Sequence, residues 1–185
     1  PLEVVETPWS QWCVLLPRER EDPRDGEARR VAARAVEQLG LETGGFHLEW
    51  FRRRDGSLAI SEVGARPGGA QISKLLSYAH NRSFYDAWAE LMIDDRFAMP
   101  ERRYATGAAF LRAQGRGKTV ARVRGLNAAQ RELGALVVDK KLPRVGQPAA
   151  SGYEGEGWVI VRHSSTEVVR KALGKLISSV RVELG

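Results

Sequence analysis

The sequence has one cysteine, few lysines and no long apolar run. Cys13 cannot form an internal disulfide by itself, which fits a reducing compartment. No apolar run approaches the roughly 18 to 20 residues that cross a bilayer, and the first residues lack a charged region followed by an apolar one. These absences argue against a membrane-spanning or disulfide-stapled protein, and we expect a cytoplasmic location without membrane contact.

Arginine supplies most of the positive charge. The chain has 29 Lys and Arg against 23 Asp and Glu, a net charge of +6 and a pI near 9.8. Only six of the basic residues are Lys, and the arginines are spread along the chain among acids. This usage is better explained by the base composition of a genome than by a binding surface, so nucleic acid is disfavoured as a partner and kept only as an alternative.

Length and apolar content fit one domain or two small ones, since 43% of the 185 residues are hydrophobic. Periodicity and turn residues predict alternating helices and strands. The predicted elements are a strand over 12–16, a helix capped by Asp25 and stopped by Gly40, a hairpin of 46–51 and 58–66, helical segments over 71–93 interrupted at 80–83, strands over 104–113, 119–124, 135–139 and 158–163, a helix over 168–177 and a strand over 180–184. The pattern indicates an α+β protein.

The hairpin is the most informative stretch. Asp55-Gly56 between two β-prone runs predicts a two-residue type I′ loop. That register sets Glu49 directly opposite Glu62, where like charges repel unless a cation lies between them. Strand alternation then puts the following side chains on one face: His47, Glu49, Phe51, Ile60, Glu62, Gly64 and Arg66.

Two opposed carboxylates suit Mg²⁺, which prefers one or two protein carboxylates together with water and substrate phosphates. The alternative is a solvated hairpin face neutralised by Arg66 or Arg52. After the hairpin in the sequence, Pro67-Gly68-Gly69 precedes a predicted helix, whose free N–H groups at the N-terminus form an anion site. Carboxylates, guanidinium and helix N-terminus together indicate a site for a nucleotide phosphate or an acyl phosphate.

At residues 46–49 and 62–69 the sequence resembles the ATP-grasp ligases. Their C-terminal core ends in a glutamate on one strand, a hairpin, and a second glutamate in a Glu-x-Asn-x-Arg segment, which Glu49 and Glu62 to Arg66 match. The resemblance implies a C-terminal ATP-grasp lobe over 1–100, an antiparallel sheet with helices, followed over 101–185 by a small lid-like antiparallel sheet domain with one or two helices.

The resemblance also implies roles for site residues. Glu49 and Glu62 would hold Mg²⁺, with Mn²⁺ as an alternative, against the phosphates of ATP. Arg66 would be the catalytic residue that stabilises the transferring phosphoryl group, and Gly68 and Gly69 would contribute to nucleotide binding. The implied reaction joins a small-molecule carboxylate to an amine through an acyl phosphate, with the amino-acid or peptide ligases as the nearest branch.

Two departures from the family pattern stand out. Gly64 occupies the position of the usual Asn, and His47, predicted opposite it, is expected to be a sheet residue rather than a ligand. The ATP-gripping half that precedes this core in the family has no counterpart, so we expect a C-terminal fragment that is inactive alone and needs that missing N-terminal half. Biotin-carboxylase-like and carbamoyl-phosphate-synthase-like enzymes, a non-catalytic binding module and a homodimer are left open.

Overall fold

The computed structural model describes residues 7, 10–19 and 23–185, without the side chains of 23–25. The chain divides into two compact units. The sheet unit comprises Pro1–Arg18 and Arg102–Gly185, and the hairpin unit comprises Glu19–Glu101. The break near residue 101 lies where the sequence changes pattern, but the first strand belongs with the later residues and not with the rest of the first hundred.

Helices and strands alternate along the described residues, which confirms the expected α+β class. In chain order they are β1 Trp12–Leu16, α1 Pro23–Gln38, β2 His47–Arg52, β3 Leu58–Gly64, α2 Ile72–His80, α3 Phe84–Asp94, β4 Ala105–Leu111, β5 Ala113–Gln114, β6 Val120–Arg124, α4 Leu126–Leu133, a 3₁₀ turn Gly134–Leu136, β7 Val137–Lys141, β8 Gly157–His163, α5 Thr166–Ser179 and β9 Arg181–Leu184. None of the helices described is long and apolar enough to cross a membrane.

Helix α1 begins three residues earlier than an N-cap at Asp25 would place it. The prediction of Asp25 as N-cap is wrong, because the helix begins at Pro23 and Asp25 lies inside its first turn. Proline suits a first helical position, since its φ is already helical and its missing N–H would have had no partner there. The predicted stop is confirmed: Gly40 follows the helix with φ at 73°.

The predicted break between α2 and α3 is confirmed. Asn81 ends α2 in the left-handed region with φ at 54°, and the Oγ of Ser83 accepts a hydrogen bond of 3.1 Å from the N–H of Asp86 at the start of α3. Trp88 of α3 then packs on the backbone that enters β2, because a Cβ at Gly45 would lie 2.3 Å from its ring. Only glycine permits this close approach.

The sheet unit holds most of the apolar core. Its four strands pair in the order β1-β4-β8-β7, all antiparallel, and every residue of β4 is buried. Helix α5 packs against this sheet through Val169, Leu173 and Leu176, and a Cβ at Gly107 of β4 would lie 2.5 Å from the Leu173 side chain. A smaller sheet, β5-β9-β6, completes the unit.

Helix α4 was not predicted individually, although the expected one or two helices of this region correspond to α4 and α5. Its signal was present, since Leu126, Ala129 and Leu133 recur at the spacing of a helical face. Two of the three are buried, and the helix follows Gly125 with φ at 78°. The short length of eight residues kept the signal weak.

Candidate functional site

The predicted opposition of the two glutamates is confirmed. Strands β2 and β3 pair antiparallel, with Glu49 opposite Glu62 and His47 opposite Gly64. Directly opposed residues share a face of the sheet, so the two carboxylates project to the same side of the hairpin. Each side chain keeps nearly half of its exposure, 48% for Glu49 and 46% for Glu62. An arrangement of two accessible, like-charged groups does not stabilise a sheet by itself.

The loop that joins the strands differs from the predicted two-residue turn. Arg53 and Ser57 close it through an N–H to carbonyl bond of 2.8 Å, which leaves three residues between them, and the Gly56 N–H donates to the Arg53 carbonyl at 3.0 Å. Gly56 has φ at 86°, the conformation of a type I turn followed by a bulge glycine. The carboxylate of Asp55 accepts from the Ser57 N–H at 2.9 Å and from its hydroxyl at 2.7 Å, and these bonds lower the pKa of Asp55.

A bulge restores the predicted register before the glutamates are reached. The longer loop places Trp50 opposite Ile60, and Ser61 is skipped, so that Glu49 again faces Glu62. The prediction that Ile60 shares a face with Glu62 through a partner at Phe51 is therefore wrong. Trp50 and Ile60 form an opposed pair, and strand alternation puts Trp50 on the face away from Glu49.

Arg66 contacts Glu62 as its closest charged neighbour in the site. Its Nη2 donates to the Oε1 of Glu62, and its Nη1 donates to the carbonyl of Pro67 at 3.2 Å. The Arg66 N–H donates to the Gly64 carbonyl at 2.9 Å, a tight turn that brings the side chain back beside the end of β3. Guanidinium and carboxylate are brought together as the sequence predicted.

Gly68 and Gly69 lie on the approach to α2 and not at its first turn. The helix begins at Ile72, whose N–H donates to the Gly69 carbonyl at 2.9 Å. Between them, Ala70 and Gln71 both adopt left-handed backbone, with φ at 50° and 59°. Such conformations are unfavourable for non-glycine residues and cluster at sites where the backbone is fixed for a purpose.

The N-terminus of α2 has no side-chain cap from Gln71, which is what an anion-binding helix end requires. In its first turn, Ser73 is 1% exposed, and its Oγ has no hydrogen-bond partner among the described residues. No feature of the sequence marks this serine, because its burial is decided by packing and not by its neighbours along the chain.

His47 lies beside Glu49 on β2. Its Nε2 is 3.8 Å from Glu49 Oε1, its side chain is 16% exposed, and its Nδ1 has no hydrogen-bond partner in the part of the chain that the structure describes. At the opposed position, a Cβ on Gly64 would lie 3.4 Å from the Cγ and Nε of Arg66. The space that an Asn would take in the family pattern is bordered by the arginine side chain.

The donor set fits a magnesium ion held partly by substrate. In the described ranges, no group of three or more His, Cys, Asp and Glu side chains lies close enough to form an all-protein metal cage. Glu49 and Glu62 are two hard oxygen donors on neighbouring strands, and Mg²⁺ is commonly bound by one or two carboxylates together with waters and phosphate oxygens. The arrangement therefore fits a metal that bridges protein and polyphosphate.

Comparisons with known proteins find the fold in solved structures. No family model and no curated protein matches the chain. The L-amino acid ligase from Bacillus licheniformis matches 94% of this chain and 44% of its own, with 18% identity and a TM-score of 0.74. Phosphoribosylglycinamide synthetase from Anaerococcus prevotii matches 94% of this chain and 45% of its own, with 14% identity and a TM-score of 0.68.

A third match is the carboxyaminoimidazole ribonucleotide synthase from Aspergillus clavatus, solved in complex with ATP. It covers 90% of this chain and 42% of its own, with 17% identity and a TM-score of 0.59. At such identities the likeness shows the fold, and it confirms the expected resemblance to a part of the ATP-grasp ligases. The chain spans less than half the length of each of these structures.

Proposed function

We propose that the chain is the C-terminal part of an ATP- and Mg²⁺-dependent ligase that joins a carboxylate to an amine. The observation that carries the proposal is the opposition of Glu49 and Glu62 with Arg66 paired to Glu62, in a segment that leads into a helix without a side-chain cap from Gln71, within a fold shared with an amino-acid ligase. Each element is unfavourable or neutral for stability alone, but together they suit a polyphosphate and its metal.

Glu49 and Glu62 hold the magnesium ion, which supplies neutralisation of the phosphate charge when it is bound. Arg66 places a planar, permanently charged fork where it can grip oxygens of the transferring phosphoryl group or of the substrate carboxylate. Because phosphoryl transfer needs positioning and charge stabilisation more than covalent help from the protein, these three side chains suit this end of the site.

The proposed reaction has two steps. A substrate carboxylate oxygen attacks the γ-phosphorus of ATP, and the bond from that phosphorus to the oxygen that bridges the β- and γ-phosphates breaks. ADP departs as the leaving group, and the substrate becomes an acyl phosphate. An amine nitrogen then attacks the acyl carbon, the amine gives up a proton, and inorganic phosphate leaves as the C–N bond forms. We take an amino acid as the first candidate carboxylate to test, because one protein of the same fold is an L-amino acid ligase.

The hairpin unit has the surface of an incomplete lobe. Of the ten exposed large hydrophobic side chains among the described residues, eight lie in this unit, and Trp50 and Ile60 form one exposed pair. Four of the 22 buried hydrophobic residues in the described part of the chain belong to it. A two-stranded sheet is marginal without further packing, so these features support a second half that covers the face carrying Trp50 and Ile60.

The decisive experiment follows an oxygen atom in the complete protein. With ¹⁸O in the carboxylate of a candidate amino acid, acyl-phosphate formation transfers one labelled oxygen to inorganic phosphate, which mass spectrometry detects. Labelled phosphate that depends on the amine, and is lost in Glu62→Gln and Glu49→Gln but kept in the control Glu42→Gln, an exposed carboxylate outside the hairpin, supports the proposal. Label transfer only from bicarbonate would favour a biotin-carboxylase-like or carbamoyl-phosphate-synthase-like enzyme instead.

A second experiment tests the incompleteness of the chain. Trp50→Thr and Ile60→Thr remove exposed apolar groups, so we expect little change in the stability of the isolated chain but weaker association with a separately produced N-terminal half. Val145→Thr removes an exposed apolar group from the sheet unit and serves as the control. Submicromolar ATP binding by the isolated 185 residues in calorimetry would contradict the view that the chain lacks its adenine-binding half.

A further inference from the structure

Arg66 occupies the position of a counter-ion to Glu62. The guanidinium donates to the Glu62 carboxylate through Nη2 and to the Pro67 carbonyl through Nη1 at 3.2 Å. Among the described residues, the Arg66 guanidinium is the positively charged group that forms an ion pair with Glu62. Two opposed carboxylates need a positive neighbour, and the arginine supplies it when no metal is bound.

The side chain of Arg66 lies over Gly64. A Cβ built on Gly64 would lie 3.4 Å from both Cγ and Nε of Arg66 and 3.8 Å from its Cδ, so the arm of the arginine passes directly over the glycine. A larger side chain at this position would compete with the arm for the same space. A Cβ alone would make ordinary contact with the arm, whereas the longer Asn of the family pattern would extend into the space beside it.

The ion pair is weak enough to be exchanged. Arg66 and Glu62 are 50% and 46% exposed, and exposed ion pairs contribute about 0 to 1 kcal/mol because water screens them and two long side chains must be ordered. A divalent cation between two carboxylates carries twice the charge of the guanidinium. The same Glu62 oxygen cannot bind the divalent cation and accept the hydrogen bond from Arg66 without weakening one of the two interactions.

We propose that Arg66 and the divalent cation compete for Glu62, so that metal binding releases the guanidinium from the carboxylate and makes its fork available to an anionic substrate group. The inference rests on the proposed metal site. It makes the arginine's engagement with phosphate or carboxylate conditional on the metal, which orders the assembly of the site: cation first, anion second.

The test measures metal affinity of the 185-residue chain without nucleotide, by the broadening of β2 and β3 amide signals that Mn²⁺ causes in NMR spectra. We expect Arg66→Gln to tighten Mn²⁺ binding about three- to tenfold, because a competing ion pair and a nearby positive charge are both removed. Glu62→Gln should abolish the broadening at the hairpin. Arg54→Gln removes the same charge from the loop of the hairpin and should change the affinity less than twofold.

The unsubstituted chain provides a reading that does not depend on the folding of a variant. The side-chain Nε signal of Arg66 should move as Mg²⁺ is added, with the same midpoint as the hairpin amides. An unchanged or weaker Mn²⁺ affinity in Arg66→Gln, or an Nε signal that stays fixed, overturns the exchange while Glu62→Gln still defines the metal site. Normal broadening in Glu62→Gln would instead refute the metal site itself, and the exchange with it.

Discussion

The opposed carboxylates predict that one of the proposed metal ligands destabilises the metal-free chain. Two unit charges about 5 Å apart repel by about 0.8 kcal/mol in water, and directly opposed side chains reach this separation at Cβ. Arg66 offsets part of the repulsion through Glu62. Glu49→Gln removes one of the charges and keeps the size of the side chain, so we expect it to stabilise the hairpin unit by about 0.3 to 0.8 kcal/mol.

The assay is amide hydrogen exchange in strands β2 and β3 at low ionic strength, since exchange reports the local opening free energy of the hairpin. Glu42→Gln, an exposed carboxylate outside the hairpin, serves as the matched control and should change the protection by less than half as much. Added salt should shrink the gain, because exposed charges are screened.

Magnesium should reverse the order of stability. At tenfold the dissociation constant, a ligand that binds only the folded state stabilises it by about 1.4 kcal/mol. The unsubstituted chain gains this amount, whereas Glu49→Gln lacks one ligand and gains less. A Glu49→Gln hairpin that is less protected than the unsubstituted one without metal would refute the electrostatic argument, and an equal response of both to Mg²⁺ would refute the role of Glu49 as a ligand.

Three further predictions concern the frame around the site. Gly107→Ala should lower the free energy of unfolding of the sheet unit by about 1 to 3 kcal/mol in urea titrations, because a Cβ there would lie 2.5 Å from a leucine methyl of α5. As its control, Gly174→Ala on that helix adds a Cβ that meets nothing within 4 Å and should raise the same free energy by about 1 kcal/mol. Ala70→Gly should raise the stability of the hairpin unit by about 0.5 kcal/mol in the same titration, because relief of left-handed backbone at φ 50° exceeds the added entropy of the unfolded chain. The pKa of Asp55 should lie below its ordinary value in an NMR titration, because Ser57 donates two hydrogen bonds to the carboxylate. The contribution of Asp55 to folding stability is therefore complete above its unfolded-state pKa and is lost as the pH falls through the lowered native pKa, and Asp55→Asn should remove this acid dependence.

The register at the glutamates was predictable, but for a reason that the turn alone does not explain. The Asp55-Gly56 dipeptide predicts a two-residue loop, and the chain forms a three-residue loop that shifts the pairing by one. The bulge at Ser61 shifts it back before Glu49 and Glu62. A one-residue slip would have put the carboxylates on opposite faces, so the bulge is what preserves the site, and no residue type in the sequence announces it.

Long-range placement was the other part that local patterns could not supply. The strand 12–16 was predicted with its correct limits. Its partner is β4, at least ninety residues later in the chain, and no residue pattern in either strand predicts this pairing. Similarly, the left-handed backbone at Ala70 and Gln71 contradicts the ordinary preference of both residues. Local propensity predicts elements, whereas packing across the unit decides their pairing and the conformation of the approach to α2.

Under the proposed exchange, the two interpretations of Glu62, as a metal ligand and as an arginine-neutralised surface residue, correspond to two states of one carboxylate. One interpretation took the glutamates as metal ligands, and the other took them as a solvated face neutralised by arginine. The structure pairs Glu62 with Arg66, which alone would favour the second. However, an exposed ion pair is weak, and the basic side chain found near Glu49 among the described residues is His47, at 3.8 Å. A site with two carboxylates and one guanidinium carries excess negative charge, and a divalent cation changes that excess to a positive one that suits a polyphosphate. Under the proposed function, the arginine pair is therefore the form that we expect of the metal site before a cation binds.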